Sequence, residues 1–318
     1  MAFQAGYTQA NPNGTLIFET IHGSRAYGLA TQASDTDRRG IFVARPLAFL
    51  GFIDTPDQIE PDPERVLYEI RKFFRLAAAC NPTVIEVLFT EAADHVAVSA
   101  EGLQLLDRRR EFLSRLAGES FGKYGLAQLH RIRTHRRWLF SPPDRKPERR
   151  DFGLPERLTV PRDEQGAVEA MIRDGRLAEE ELPSSFLGLL DRERRYRSAL
   201  REWQQYQEWQ RNRNAVRADL ERRYGYDTKH AMHLIRLLRM AVEIMASGEV
   251  RVRRPDAHEL LDIRRGTLAF DSLLEQADAL GSRLKTLADS SPLPARPDEA
   301  RLNEFCADLV ARVHRRTA

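Results

Sequence analysis

The stretch from Ile17 to Val43, IFETIHGSRAYGLATQASDTDRRGIFV, constrains this chain more than any other. A β-prone run from Leu16 to Ile21 ends at Gly23-Ser24. A short helix-compatible segment follows, and Ser34-Asp35-Thr36-Asp37 then leads into a second β-prone run, Gly40 to Val43. Residues two apart on a strand share a face, so Asp35 and Asp37 present two carboxylates side by side. Like charges that close are unfavourable without a cation between them. Hard oxygen ligands on a rigid element suit Mg²⁺, which shares phosphate oxygens with a substrate. Gly23 admits close backbone approach, and the amides of Ser24, Arg25 and Ala26 open a helix and can point at a phosphate. A phosphate cradle beside a metal-binding pair is a device for phosphoryl or nucleotidyl transfer, where catalysis is mostly positioning and charge neutralisation. His22, just before the turn, either faces this site or packs in the strand.

A Gly-Ser turn followed about a dozen residues later by Asp-x-Asp resembles the signature of the DNA polymerase beta-type nucleotidyltransferase superfamily. That resemblance implies a third carboxylate on a neighbouring strand, completing the metal set or acting as general base. Glu69, in RVLYEI, is the natural candidate, and Glu86, in TVIEVLF, is the second choice. For each the alternative is an exposed or salt-bridged strand glutamate.

A chain of 318 residues buries a substantial core and is expected to divide in two. Its 42% hydrophobic and 31% charged residues exclude disorder as an explanation of the pattern. No apolar run is long enough to cross a bilayer, and the start, MAFQAGYTQANPNG, has neither a basic n-region nor an apolar h-region, so a cytoplasmic protein without membrane partners is expected. Cys80 and Cys306 lie far apart without metal-ligand spacing, which argues against a disulfide framework and a zinc site. Of the 50 basic residues 45 are Arg, a bias attributable to genome composition and no evidence for nucleic acid, since the net charge is only +3.

The expected fold class is α+β: a nucleotidyltransferase domain over residues 1–116, with a small mixed sheet and helices, followed by a helical domain over 117–318 with a Pro-rich loop at 141–161. In the first part the pattern predicts a strand over Arg65 to Ile70, a helix over Arg71 to Cys80, a strand over Thr83 to Phe89 and a helix over Leu103 to Leu116. Six of the eight residues from His130 to Arg137 are His or Arg. With Leu126, Leu129, Ile132 and Leu139 as an apolar stripe, this segment reads as a helix whose outer side carries Arg131, Arg133, Arg136 and Arg137. Such a helix can follow a phosphate backbone, with Tyr124 and Trp138 to stack bases, or be a solvated face. The aromatics recurring at three or four between Asp191 and Tyr224 are expected in a core. A helix over Thr228 to Ser247, capped by Asp227 or Thr228 and ended by Gly248, sets Lys229, His233 and Arg236 in a row.

Four segments together are similar to the predicted nucleotidyltransferase family associated with bacterial and phage RNA-repair operons. They are GSRAYGLATQASDTDRRG, EIRKFFRLAAACNPTVIEVLF, FGKYGLAQLHRIRTHRRWL and YDTKHAMHLIRLLRMAVEIMASGEVRVRRPDAHELLDIRRG. The resemblance implies a catalytic domain carrying Gly23, Ser24, Asp35 and Asp37, a helical domain closing over the nucleotide, and Lys229, His230 and His233 as nucleotide or phosphate contacts. The expected activity uses two Mg²⁺ or Mn²⁺ ions on Asp35, Asp37 and Glu69 to move a nucleoside monophosphate from a nucleoside triphosphate to an acceptor hydroxyl. Arg25 and Lys229 steady the pyrophosphate, and the favoured acceptor is an RNA end, tRNA-like. The alternatives are the same chemistry on a protein or small molecule, and a non-catalytic RNA-binding module.

Overall fold

A computed structural model describes residues 14–32, 34–52, 55–158, 160–213 and 215–317; the opening 13 residues, read above for a leader, lie outside them. The chain forms two compact units, residues 1–133 with 226–318, and residues 134–225. In the first, strands β1 (Gly14–Ile21), β2 (Arg38–Ala44), β3 (Gln58–Asp62), β4 (Arg65–Glu69) and β5 (His95–Val98) make one sheet in the order β3-β4-β2-β1-β5. Helices α1 (Gly23–Ala26), α2 (Leu47–Leu50), α3 (Ile70–Ala78), α4 (Pro82–Leu88) and α5 (Ala100–Asp107) lie among the strands, and α6 (Leu116–Phe140) runs out of the unit. The second unit holds α7 (Arg162–Arg173), α8 (Ser184–Arg211) and α9 (Ala215–Tyr224). The chain then returns as α10 (Thr228–Ser247), α11 (Ala257–Arg265), α12 (Phe270–Ser290) and α13 (Glu299–Thr317).

β1 and β2 are antiparallel, but β2 and β4 are parallel, with Arg38 beside Arg65 and Phe42 beside Glu69. Parallel neighbours need a crossover, and the turn-rich segment after Val43 supplies it through α2 and β3. β3 was not expected from the sequence. Its Pro61 donates nothing to a ladder, and the strand is tolerated because it lies at the sheet edge.

The main core joins Ile17, Phe18, Ile41, Val43 and Tyr68 of the sheet to helices from both ends of the first unit: Phe73 and Phe74 of α3, Leu237, Met240, Ala241 and Ile244 of α10, and Phe305 and Leu309 of α13. The division expected at residues 116 and 117 is therefore not where the chain parts. The apolar face of α10 finds its partner in the sheet, so the last 93 residues return to the first unit, and only residues 134–225 pack by themselves.

Thr83 to Phe89, expected as a strand, is mostly the helix α4. Asn81 accepts from the Val84 amide at 3.4 Å and Pro82 occupies the first turn, a helix start that outweighs the β-branched composition. Val84, Ile85, Val87 and Leu88 are all buried, so their pattern carried no period to read. The expected helix from Leu103 to Leu116 is α5 followed by a 3-10 turn at Arg109–Phe112. α10 has the expected bounds, with Asp227 as its cap and Gly248 left-handed at its end.

In the second unit Trp138, Tyr206 and Trp209 meet with ring centroids 5.6–5.9 Å apart. Arg149, in the Pro-rich loop, binds the buried Glu193 of α8 with both terminal nitrogens, at 3.1 and 2.5 Å. Among the described residues no helix is long and apolar enough to cross a membrane.

Because α10 shares the core of the sheet, Ile244→Ala is expected to destabilise the sheet-containing unit by about 2–5 kcal/mol. Denaturant unfolding followed by circular dichroism and by hydrogen exchange of the β1 and β2 amides measures this, and exchange unchanged in those strands would contradict a common core.

Candidate functional site

The turn after β1 and the acidic segment before β2 are locked to each other. The His22 amide donates to the Asp37 carbonyl at 2.8 Å, one step beyond the Ile21 and Arg38 pair of the ladder. Gly23 has φ +68°, and a Cβ built on it would lie 2.4 Å from Asp37 Oδ2, so the carboxylate rests directly on the glycine. Only glycine satisfies both the left-handed backbone and that approach. Asp35 and Asp37 lie in the run leading into β2, just outside the ladder where the sequence placed them on a strand, and Asp35 is exposed. Arg25, expected on phosphate, instead straps this run to α1, donating to the carbonyls of Asp35 at 3.2 Å and Ser34 at 3.0 Å. Ser24 stands in the first turn of α1, whose leading amides have no acceptor within the helix.

Glu69 does not join this pair. It is fully buried at the far end of β4, where Oε2 caps α3 by accepting from the Arg71 amide at 2.9 Å and from Arg71 Nε at 3.0 Å. In the parallel register it lies beside Phe42, five residues past Asp37, or about 16 Å along the strand. Parallel pairing puts the start of β4 next to Asp37, and the acidic residue there is Glu64. It stands in the turn just before β4, and its carbonyl accepts from the Arg38 amide at 2.7 Å, next to Asp37 in the chain. Glu64 is exposed and open to a ligand. Strand direction was the missing signal: in a parallel β4 only a carboxylate at the N-terminal end can reach the pair.

Glu86, the second choice, is a structural group of α4. It pairs with Arg236 of α10, accepts from Tyr27 Oη at 2.5 Å, and lies 3.4 Å from His22 Nε2. Arg236 also stacks 3.9 Å over the Tyr27 ring. Burial pushes the Glu86 carboxyl up, but Arg236 with the hydrogen bonds from His22 and Tyr27 outweighs it and holds the group at about 2. Burial and the adjacent Glu86 push the Tyr27 hydroxyl well above its ordinary range. His22 therefore packs under the turn.

Of the α10 row, Arg236 is committed to Glu86. His230 serves the helix start: its amide donates to Asp227 Oδ1 at 3.0 Å, and its Nδ1 lies 2.7 Å from Asp227 Oδ2. Burial, reinforced by Arg236, Lys229 and His230, depresses His233 to about 3, so at neutral pH it is an uncharged imidazole and offers phosphate a hydrogen bond without a charge. Lys229 stands two helical turns before Arg236.

The basic segment of α6 divides. Arg131 and Arg133 are exposed. Arg136 donates to the Gly225 carbonyl at 2.7 Å and Arg137 to Glu202 at 2.5 Å, so both are taken up by the second unit. Trp138 is buried in that unit's aromatic cluster and cannot stack bases, whereas Tyr124 is 43% exposed, its Oη held by Asn81 Nδ2 at 2.8 Å. Leu126, expected in the apolar stripe, faces solvent.

Gly23→Ala is expected to cost about 1–3 kcal/mol, and part of that cost should vanish in an Asp37→Ala background; a double-mutant cycle from urea unfolding checks the coupling. His233 accepts a proton only near pH 3 when folded but near its ordinary 6.5 when unfolded, so stability rises with pH across that window and falls on acidification. Urea midpoints at pH 7 and 5 should show this slope, reduced in His233→Gln.

The family model described as RlaP, the RNA repair pathway DNA polymerase beta family, matches residues 5–138, a span that includes Gly23, Ser24, Asp35, Asp37 and Glu64. Neither the curated proteins nor the solved structures contain a match. Over residues 5–138, where a mixed sheet sets acidic residues beside a Gly-Ser turn, the chain is similar to the RNA repair pathway DNA polymerase beta family.

Proposed function

We propose that this protein is a nucleotidyltransferase that moves a nucleoside monophosphate from a nucleoside triphosphate to a hydroxyl at an RNA end. The observation that carries this is the Asp37 carboxylate seated on Gly23, which sets an acidic side chain directly against the Gly-Ser turn. Asp35, Asp37 and Glu64 offer three sets of hard carboxylate oxygens, a donor set that fits Mg²⁺ or Mn²⁺. Two such ions would supply charge neutralisation at the triphosphate and acidify the acceptor hydroxyl.

The protein groups have separate tasks. The leading amides of α1, at Ser24 and Arg25, face phosphate oxygens, with Lys229 as a second cation for the departing pyrophosphate. The acceptor oxygen bonds to the α-phosphorus as the bond to the β-phosphate bridging oxygen breaks, and the Glu64 carboxylate takes the acceptor proton. Arg25 keeps the acidic run in place through its two carbonyl contacts. RNA is favoured as acceptor by the family's RNA repair description and by exposed Tyr124, Arg131 and Arg133 along α6.

Incubation with each α-labelled nucleoside triphosphate, Mg²⁺ and either cellular RNA or protein tests the reading. Label is expected in RNA. Asp37→Asn and Glu64→Gln should each lower transfer on the order of 100-fold or more, while Glu69→Gln should act on stability with transfer nearly unchanged. Full transfer by Asp37→Asn would sink the proposal, and label passing to protein alone would move the acceptor to a polypeptide.

A further inference from the structure

Arg39 stands in β2 two residues past Asp37, so the acidic run is followed at once by a cation within the sheet. Arg39 is well inside the sheet, beside Thr20 of β1 and Val66 of β4, and its side chain is only 18% exposed. Nη1 donates to the carbonyls of Arg38 at 2.8 Å and Glu64 at 3.3 Å, so main-chain acceptors hold the guanidinium. Its other terminal nitrogen, Nη2, lies 3.7 Å from Asp37 Oδ1. A guanidinium does not lose its proton in a protein. The site therefore has a permanent positive charge, fixed by main-chain atoms, next to the carboxylate best placed to bind a metal.

We propose that Arg39 is a built-in counter-charge that makes divalent-metal binding by the acidic cluster depend on the nucleotide; this rests on the nucleotidyltransferase reading above. In the free protein Arg39 offsets the negative charge of Asp37, the carboxylate its Nη2 approaches. A divalent ion arriving alone meets that cation and binds weakly. An ion arriving with a triphosphate brings negative charge that outweighs Arg39, so metal and nucleotide enter together. Arg39 acts through Asp37 and is a positioning residue, and its effect is readable without turnover.

The test is Mn²⁺ binding, followed by the electron paramagnetic resonance signal of the free ion, with and without a non-hydrolysable nucleoside triphosphate analogue. Arg39→Gln without nucleotide is expected to bind Mn²⁺ about tenfold more tightly than the parent, the size of a charge repulsion across a few ångströms of solvated space. Arg39→Lys, which keeps the charge, should stay near the parent, and with the analogue the difference should shrink to about twofold or less. Arg39→Met, which keeps the apolar stem, replaces Arg39→Gln if that variant fails to fold by circular dichroism. Unchanged or weaker Mn²⁺ binding in the neutral variants overturns the proposal. So does a gain that survives in the Arg39→Gln/Asp37→Asn double variant, because the ion would then not be on Asp37. Parent protein that binds no Mn²⁺ even with the analogue would instead remove the metal-nucleotide reading on which the proposal stands.

Discussion

Beneath the Gly23-Ser24 turn, the Glu86 carboxylate is shared by Arg236 and Tyr27, with His22 close behind, and the pair it makes with Arg236 joins residues 150 apart in the chain. Taking a carboxylate and a guanidinium out of water is costly, and removing either partner alone typically costs about 3–5 kcal/mol because a buried charge is left uncompensated. Here every group in the cluster has a geometric task as well. Tyr27 and His22 flank α1, Glu86 belongs to α4 and Arg236 to α10, so one charge cluster fixes the floor of the turn against two helices. The Arg236 guanidinium lying on the Tyr27 ring adds a contact that depends on the same placement.

From that floor the geometry of the acidic cluster follows. Because His22 is held, its amide is aimed at the Asp37 carbonyl, and the Asp37 carboxylate then comes to rest on Gly23. Arg25 ties the same run from the other side. Parallel pairing brings Glu64 alongside. Backbone hydrogen bonds, more than side-chain pairs, set these positions. Arg39 is fixed the same way, by carbonyl oxygens, and so contributes charge without consuming a carboxylate.

The basic residues that stand out in sequence are mostly occupied. Arg236 neutralises Glu86, Arg149 neutralises Glu193, and Arg136 and Arg137 hold the second unit together. Arg131 and Arg133 of α6, by contrast, are exposed. In a chain so rich in arginine, burial and pairing, not abundance, separate a ligand-facing cation from a structural one.

The sequence by itself determined the local devices: the Gly-Ser turn, the Asp-x-Asp spacing, the strands around them, and the α10 helix with its cap and terminator. Each of these is encoded within a few residues, by backbone freedom, side-chain alternation or an orphan amide finding its acceptor. Tertiary structure decided the rest. Strand direction decided that Glu64 and not Glu69 adjoins Asp37, since the spacing from β2 to β4 is compatible with either end of the strand. Packing decided that α10 and α13 belong with the sheet, since an amphipathic face states that it needs a partner without stating which. Long-range pairing decided the charge state of Glu86 and His233, because a protonation equilibrium depends on burial and on neighbours that are distant in the chain.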